Sequence, residues 1–223
     1  MFDLSHLEKM RDHRQVTLTW YDKTGRIELI GPVTTRWISK TANYIVDTFG
    51  EGESPSVLIH LPPSWRTLMW VTGAGFAGAT TRIARSEMDL ASASHADLVV
   101  TSCAETAEIL ARDPGLIVLL QAMEPFALEW SGELPAGVGD AIGEVSSQPD
   151  FIEFVDVATP RPPDNLQSDQ THATIPGEQL VITDGSEDHI PRIWDAWAAG
   201  KSALWVAPGL NQERILRQER VVD

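Results

Sequence analysis

One stretch of the chain carries a glycine pattern that is typical of phosphate-binding loops. Residues 73–78 read Gly-Ala-Gly-Phe-Ala-Gly, which is a literal G-x-G-x-x-G. When such a loop joins a strand to a helix, its backbone N–H groups seat a pyrophosphate at the N-terminus of that helix. Under this interpretation residues 68–72 form the strand and the chain holds a dinucleotide-binding domain. The cofactor-binding candidates are then Gly73, Gly75 and Gly78.

The same stretch also fits the later turns of a helix, and we favour this second interpretation. Val57 to Leu61 is a short apolar run next to prolines, which predicts a buried strand ahead of the helix. Ser64 is a suitable N-cap, because its hydroxyl can accept a hydrogen bond from an unpaired backbone N–H. No acidic residue about 20 positions after the motif ends an obvious strand, as a dinucleotide site requires. Helical spacing then relates Trp65, Leu68, Met69, Thr72 and Phe76.

Residues with metal-binding side chains occur near the C-terminal end of the chain. They are His172, Asp184, Asp188 and His189. Imidazole and carboxylate groups suit zinc or manganese. Their spacing matches no metal motif, however, so solvated loop residues are the favoured interpretation and no metal site is predicted. Asp184 and His189 remain weak candidates for binding a cofactor.

The single cysteine, Cys103, follows the apolar run 98–100 and so lies at the end of a predicted strand. Ligands often bind at that end of strands in α/β proteins. A nucleophile is conceivable there, but a small buried residue is the favoured interpretation. Ser102, Ser147 and Ser186 lack the G-x-S-x-G context of a serine nucleophile. We therefore predict no catalytic residue.

The elements that would position these residues alternate between strands and helices. A hairpin with Gly25 in its turn follows a short N-terminal helix. The alternation predicts an α/β protein, with a mostly parallel sheet and helices on both faces, preceded by the N-terminal β-hairpin. One domain covers residues 1–223, with a Gly/Pro-rich connection at 124–148 and a polar, Pro-rich loop at 159–176. Predicted strands lie at 16–21, 26–30, 57–61, 96–101, 116–121, 151–158, 179–183 and 202–207, with helices between them.

The order of these elements resembles the N-terminal subdomain of adenylate-forming enzymes, the AMP-binding acyl-CoA synthetases and their relatives. Leu61-Pro62-Pro63-Ser64 and Ala77-Gly78-Ala79 match the ends of a strand and a helix in that family. His189, Gly200 and the strand from Ser202 to Val206 match a later landmark. The chain is also similar to a short actinobacterial family that is described only by its likeness to the AMP-binding domain. The resemblance implies a site for ATP, AMP, an acyl group or coenzyme A.

The chemistry of that family is incomplete in this chain. The resemblance implies a Gly/Ser/Thr-rich loop, ending in Lys, that wraps the β- and γ-phosphates; residues 151–165 stand in its place without a glycine or a lysine. The acidic run before His189 would repel a carboxylate or phosphate, and the chain ends before the family's lid domain. We therefore expect no bound cofactor and a non-catalytic binding, regulatory or assembly module. A remnant pocket for an acyl, adenylate or CoA ligand is the alternative, and the dinucleotide domain is a third.

Composition limits the partners. Asp and Glu outnumber Lys and Arg by 32 to 17, which gives a net charge of −15 and opposes binding to nucleic acid or an anionic membrane. No apolar run is long enough to span a bilayer and the N-terminus lacks a secretory pattern, so a cytoplasmic location is expected. A strand beginning at Val221 would leave an exposed sheet edge. A second copy of the chain or a partner chain is expected to cover that edge.

Overall fold

Strands and helices alternate along the chain as the sequence predicts. A computed structural model describes residues 1–166 and 179–221. The helices are α1 (Leu4–Asp12), α2 (Gly31–Phe49), α3 (Trp65–Phe76), α4 (Glu87–Leu90), α5 (Ala104–Leu110), α6 (Ala141–Ser146), α7 (Ile190–Ala198) and α8 (Gln212–Gln218). The strands are β1 (Val16–Asp22), β2 (Gly25–Ile30), β3 (Ser56–His60), β4 (Thr80–Ile83), β5 (Leu98–Thr101), β6 (Ile117–Leu120), β7 (Val138–Asp140), β8 (Gln179–Ile182) and β9 (Ser202–Val206).

Five strands form a parallel sheet in the order β4-β3-β5-β6-β7. Successive side chains of β3 enter different cores, because neighbouring side chains of a strand point to opposite faces. Val57 and Ile59 belong to a core that includes side chains of α2 and α3, whereas Leu58 belongs to a core that includes Ala107 of α5. The sheet is therefore covered by helices on both faces. The predicted α/β class with a mostly parallel sheet is confirmed.

The N-terminal hairpin belongs to a second sheet, with the strand order β2-β1-β9-β8. β1 and β2 pair in antiparallel fashion, as predicted, and β1 also pairs with β9 in parallel. Trp20 of β1 lies opposite Trp205 of β9, and the two indoles meet edge to face with their ring centroids 4.9 Å apart. The hairpin therefore does not simply precede a single sheet. It brings the two ends of the chain together.

The Gly/Pro-rich connection at 124–148 contains regular structure that the sequence pattern did not predict. It forms β7, at the edge of the parallel sheet, and then α6. Residues 151–158, which the apolar pattern offers as a strand, form none. Their backbone is fixed by side chains instead, since Asn43 of α2 donates to the Phe151 carbonyl at 2.7 Å and accepts from the Glu153 N–H at 3.2 Å.

The outer edge of β4 is covered by the chain itself. The Asn165 side chain accepts from the Ile83 N–H at 3.0 Å and donates to the Ile83 carbonyl at 2.6 Å, as a neighbouring strand would. No strand begins at Val221 itself, which follows α8 outside any strand, and the rest of the strand predicted there lies outside the described residues. Part of the predicted loop at 159–176 also lies outside them. Among the helices described, none has the length and hydropathy to cross a membrane.

Candidate functional site

The glycine motif lies at the C-terminal end of a helix and not in a loop that starts one. Ser64 begins α3, where its hydroxyl accepts from the Thr67 N–H at 3.2 Å, and the helix continues to Phe76. Gly73 and Gly75 are therefore inside α3. The strand-to-helix turn that seats a pyrophosphate is absent from residues 68–78, so the dinucleotide interpretation is corrected in favour of the helical one.

The local structure explains why each of the three motif positions is a glycine. A Cβ at Gly73 would lie 2.6 Å from Thr41 Cβ of α2, and one at Gly75 would lie 2.8 Å from Pro160 Cβ. Gly78 has a φ of +79° just after α3, and its N–H donates to the Gly75 carbonyl at 3.2 Å, which is how glycine commonly ends a helix. The glycines thus allow α3 to pack closely on α2 and on the proline-rich segment.

Asp184 and His189 come together beyond the carboxyl end of β8. His189 Nε2 and Asp184 Oδ2 are 2.8 Å apart, and Arg192 Nη1 lies 3.4 Å from His189 Nδ1. Burial raises the pKa of the Asp184 carboxyl, but hydrogen bonds from His189 and Ser186 outweigh it, so this pKa lies below its usual value. The pair is a structural feature of the loop that begins α7.

The metal interpretation finds no support in the part of the chain that the structure describes. Asp188 pairs with Arg85 at 2.8 Å. His172 falls outside the described residues. Within 1–166 and 179–221, no three His, Cys, Asp or Glu side chains are grouped so that they could hold a metal ion. Two of the serines form hydrogen bonds to residues close to them in sequence. The Ser147 hydroxyl donates to the Glu144 carbonyl, and the Ser186 hydroxyl donates to the Asp188 carboxylate.

A site that the sequence did not reveal lies where β3 and β5 end side by side. The connection after β3 leads to β4 on one side, whereas the connection after β5 leads to β6 on the other side, which makes the position between β3 and β5 the topological switch point of the sheet. Ligands of open α/β sheets bind outside the carboxyl ends of the strands at such a point. His60 lies here, with its Nδ1 atom 2.8 Å from Thr101 Oγ1. Burial lowers the pKa of the His60 imidazole below its ordinary value.

Cys103 also lies at this switch point. Its backbone N–H donates to Thr101 Oγ1 at 3.1 Å, so the Thr101 hydroxyl joins the ends of β3 and β5. The thiol is half-buried and lies 3.8 Å from a carboxylate oxygen of Glu105. Sequence analysis placed Cys103 at a strand end but overlooked His60. The sequence feature that could have revealed this site is the imidazole of His60, which ends the otherwise apolar run of β3.

Next to the switch point, side chains fill the carboxyl edge of the sheet. Arg66 at the start of α3 is only 4% exposed, and its guanidinium lies 4.4 Å from the ring centroid of Trp65. Trp70 donates to the Gln121 side chain at 2.9 Å. The cavity between these side chains has a volume of about 10 Å³, which is room for about one water molecule. Burial lowers the pKa of Arg66 to about 10, and the nearby Glu124 carboxylate opposes this shift.

Arg66 holds the loop that follows β6 and that we call the 124–130 loop. Its Nη2 atom donates to the Glu124 and Ala127 carbonyls at 3.2 and 3.3 Å. The same loop exposes two large apolar side chains almost completely, with Phe126 at 88% and Leu128 at 86% of their area. An ordered backbone therefore presents an apolar surface at the carboxyl edge of the parallel sheet.

Comparison with known proteins identifies the fold. The crystal structure of an acyl-CoA synthetase from Brucella canis is similar with a TM-score of 0.66 at 17% identity, over 93% of this chain and 43% of that one. The N-terminal domain of FACL13 from Mycobacterium tuberculosis is similar with a TM-score of 0.64 at 11% identity, over 99% of this chain and 61% of that one. No protein-family model and no curated protein matches.

The chain thus spans 43 to 61% of the length of these two chains. The likeness is one of fold, and it confirms the resemblance to the N-terminal part of adenylate-forming enzymes that Leu61-Pro62-Pro63-Ser64 and Ala77-Gly78-Ala79 suggested.

Proposed function

We propose that this chain is a non-catalytic binding module, which uses an adenylate-forming-enzyme fold to dock another polypeptide. The observation that carries the proposal is the 124–130 loop, because Arg66 fixes its backbone while Phe126 and Leu128 project into solvent. Large exposed apolar patches on a rigid frame are typical of protein interaction sites. Glu124 and Glu129 flank the two apolar side chains. The partner we propose offers an apolar pocket with a basic rim.

Residues 151–165 stand where the resemblance to adenylate-forming enzymes places the phosphate loop, and they support the non-catalytic part of the proposal. The N–H groups of Val155 and Asp156 point to a single oxygen, as they would in an anion-binding loop. That oxygen belongs to the chain's own Glu51, at 2.6 and 2.8 Å. A phosphate would therefore have to displace a carboxylate that is already hydrogen-bonded. The filled cavity around Arg66 favours the same conclusion.

The proposal that the chain does not catalyse adenylation is tested by ATP–pyrophosphate exchange with a panel of carboxylic acids. We expect no exchange above the level without protein, and no change in melting temperature with ATP or AMP. A ligand at a hundred times its Kd stabilises a protein by about 2.7 kcal/mol, so binding would be visible. Exchange that depends on one carboxylic acid would contradict the non-catalytic proposal.

Docking is tested with the double variant Phe126→Ser/Leu128→Ser. The control is Ile109→Ser, which changes another exposed apolar side chain, on α5. Sedimentation velocity of the wild type tests whether the partner is a second copy of this chain. Cross-linking in cells, followed by titration of the purified partner, asks whether it is another chain. We expect the double variant to lose the partner and the control to keep it. Equal binding by all three proteins would contradict the proposed surface.

A second candidate function follows from the switch point. His60, Thr101 and Cys103 lie where an α/β sheet receives a small ligand, which favours a remnant site for an acyl, adenylate or CoA molecule. The test is a thermal titration with an acyl-adenylate analogue and with coenzyme A. A shift in the wild type that His60→Asn abolishes would support this candidate over protein docking. No shift with either compound would reject it.

A further inference from the structure

A cavity of about 350 Å³ lies at the amino ends of β1 and β9, the two central strands of the second sheet, and shares no residue with the switch point. α1 forms one wall, and the turn between α7 and β9 forms the other. The α1 wall contributes His6, Lys9 and His13, and the opposite wall contributes Trp197 and Lys201. Pockets for small molecules have volumes of about 300–1,000 Å³, so this one suits a compound of modest size.

The floor of the cavity is apolar and rigid. Trp197 is 4% exposed, and its indole N–H donates to the Thr17 carbonyl at 2.9 Å, which fixes the plane of the ring. Phe2 packs against the same indole with ring centroids 5.5 Å apart. Met10 is buried beside it and also lines the cavity. A flat or apolar body would find a preformed surface here.

The rim of the cavity is basic, although the chain has a net charge of −15. Two lysines and two histidines line it, and none of the lining residues is acidic. One of the two histidines, His6, is paired with the N-cap of α1, since its Nδ1 atom lies 2.7 Å from Asp3 Oδ1. Within the described residues, neither Lys9 Nζ nor the His13 ring makes a hydrogen bond or an ion pair. These two side chains are available to an anion.

Helix capping does not account for this basic rim. Basic side chains near a helix C-terminus often serve to satisfy its last carbonyls. At the end of α1, however, the His13 backbone N–H already donates to the Met10 carbonyl. At the end of α7, the backbone N–H groups of Gly200 and Lys201 donate to Trp197 and Ala196 at 3.0 and 2.8 Å.

We propose that this cavity binds a small apolar molecule that carries one carboxylate or phosphate group. Lys9 and His13 hold the anionic group, and the apolar body lies on Trp197 and Met10. The proposal concerns a different edge of the molecule from the docking loop and the switch point, and it does not depend on the function proposed above.

The test is calorimetric titration with four probes that separate charge from apolar contact. They are naphthalene-2-carboxylate, naphthyl phosphate, the neutral naphthalene-2-carboxamide and inorganic phosphate. We expect either naphthyl anion to bind at least tenfold more tightly than both the amide and inorganic phosphate. The tighter of the two anions identifies the preferred head group. An amide that binds as tightly as the anions, or inorganic phosphate that binds as tightly as naphthyl phosphate, would overturn the proposal.

Variants locate the site. The double variant Lys9→Met/His13→Asn changes two exposed side chains. It should bind the naphthyl anions at least tenfold more weakly than the wild type, and it should bind the amide with unchanged affinity. Lys23→Met removes a lysine from the hairpin turn at the other end of β1 and should bind as the wild type does. Unchanged anion binding in the double variant would overturn the proposal, as would the absence of binding by either anion at millimolar concentration.

Discussion

At the scale of single residues, Arg66 is the most unusual side chain of the molecule. Its guanidinium is buried, no carboxylate lies within ion-pair distance of it among the described residues, and its Nε atom has no hydrogen-bond partner. Burying a charge is costly unless other contacts compensate. The compensation here comes from two backbone carbonyls of the 124–130 loop and from the faces of Trp65 and Trp37.

Replacing Arg66 should therefore loosen the loop and lower stability. We expect Arg66→Ala to reduce the free energy of unfolding by about 2–4 kcal/mol, because it empties a packed site and removes the two hydrogen bonds from the guanidinium to the loop carbonyls. Denaturant unfolding measures the global effect, and hydrogen exchange of residues 124–130 measures the local one. The control is Arg36→Ala, which breaks the exposed pair with Asp150 and should cost at most about 1 kcal/mol. Equal losses in the two variants would contradict the anchoring role.

A second residue-scale contact joins the two ends of the chain and depends on pH. The Tyr21 hydroxyl donates to Glu219 at 2.5 Å, and Arg26 Nε donates to the same carboxylate at 2.8 Å. Burial and the bond to Glu219 raise the pKa of Tyr21 from 10 to about 12. The bond from Arg26 leads the contributions that lower the pKa of Glu219 below 4.5, against the opposing effect of burial.

These shifts have opposite consequences at the two ends of the pH scale. The folded state holds the tyrosine proton more tightly than the unfolded state, so this stabilisation is present below pH 10 and lost between pH 10 and about 12. The wild type should therefore lose stability relative to Tyr21→Phe over that interval. The Glu219 contribution is present above pH 4.5 and is lost on acidification.

The measurement is urea unfolding of the wild type, Tyr21→Phe and Glu219→Gln at a series of pH values. The difference between wild type and Glu219→Gln should shrink below pH 4.5, and the difference between wild type and Tyr21→Phe should shrink above pH 10. Differences that do not vary with pH would show that the contact contributes no proton-linked stability.

At the scale of elements, the packing of α3 on α2 explains the glycine motif better than a ligand does. Glycine inside a helix usually costs about 0.5–1 kcal/mol relative to alanine, so a retained glycine needs a reason. At Gly73 the reason is contact, since an added Cβ would lie 2.6 Å from Thr41 Cβ and 2.8 Å from the Ile38 carbonyl oxygen.

Gly73→Ala should therefore destabilise the protein by about 1–3 kcal/mol, although alanine favours helices. The control is Gly143→Ala in α6, where the nearest atom to an added Cβ is Asp140 Oδ2 at 3.4 Å. It should be neutral or stabilise by up to about 1 kcal/mol. Thermal unfolding of both variants distinguishes packing from ligand binding. A Gly73→Ala protein as stable as the wild type would contradict the packing explanation.

The elements that the sequence predicted well are those specified by nearby residues. Ser64 and the helical spacing after it identify α3, and Gly25 between two alternating runs identifies the hairpin. Pairing across the chain was not predictable in this way. Alternation along β1 indicates which side chains share a face, but not that Trp20 lies opposite Trp205. The His60 site depends on the same kind of information, because only the register of β3 and β5 places His60 beside Thr101.

At the scale of the whole molecule, two sheets share one core. A continuous apolar cluster contains Trp20 and Trp205 of the second sheet together with Ile59 and Leu98 of the parallel sheet. A buried hydrogen bond of 2.9 Å joins Trp194 Nε1 of α7 to Thr72 Oγ1 of α3. Arg85, which follows β4, pairs with Asp188 and lies 3.6 Å from Glu187. A single domain over residues 1–223 stays a prediction, and this continuity among the described residues favours it.

A shared core predicts that the two sheets unfold together. Scanning calorimetry should show one transition with an enthalpy of about 150 kcal/mol and a van 't Hoff enthalpy that equals the calorimetric one. Thr72→Val removes the acceptor of the Trp194 hydrogen bond at nearly constant volume, so it should lower the midpoint of that transition without splitting it. If the sheets were independent domains, the van 't Hoff enthalpy would fall to about half of the calorimetric value. In that case the contacts at Trp194 and Arg85 would be an interface between two domains, and the docking loop would belong to the parallel sheet alone.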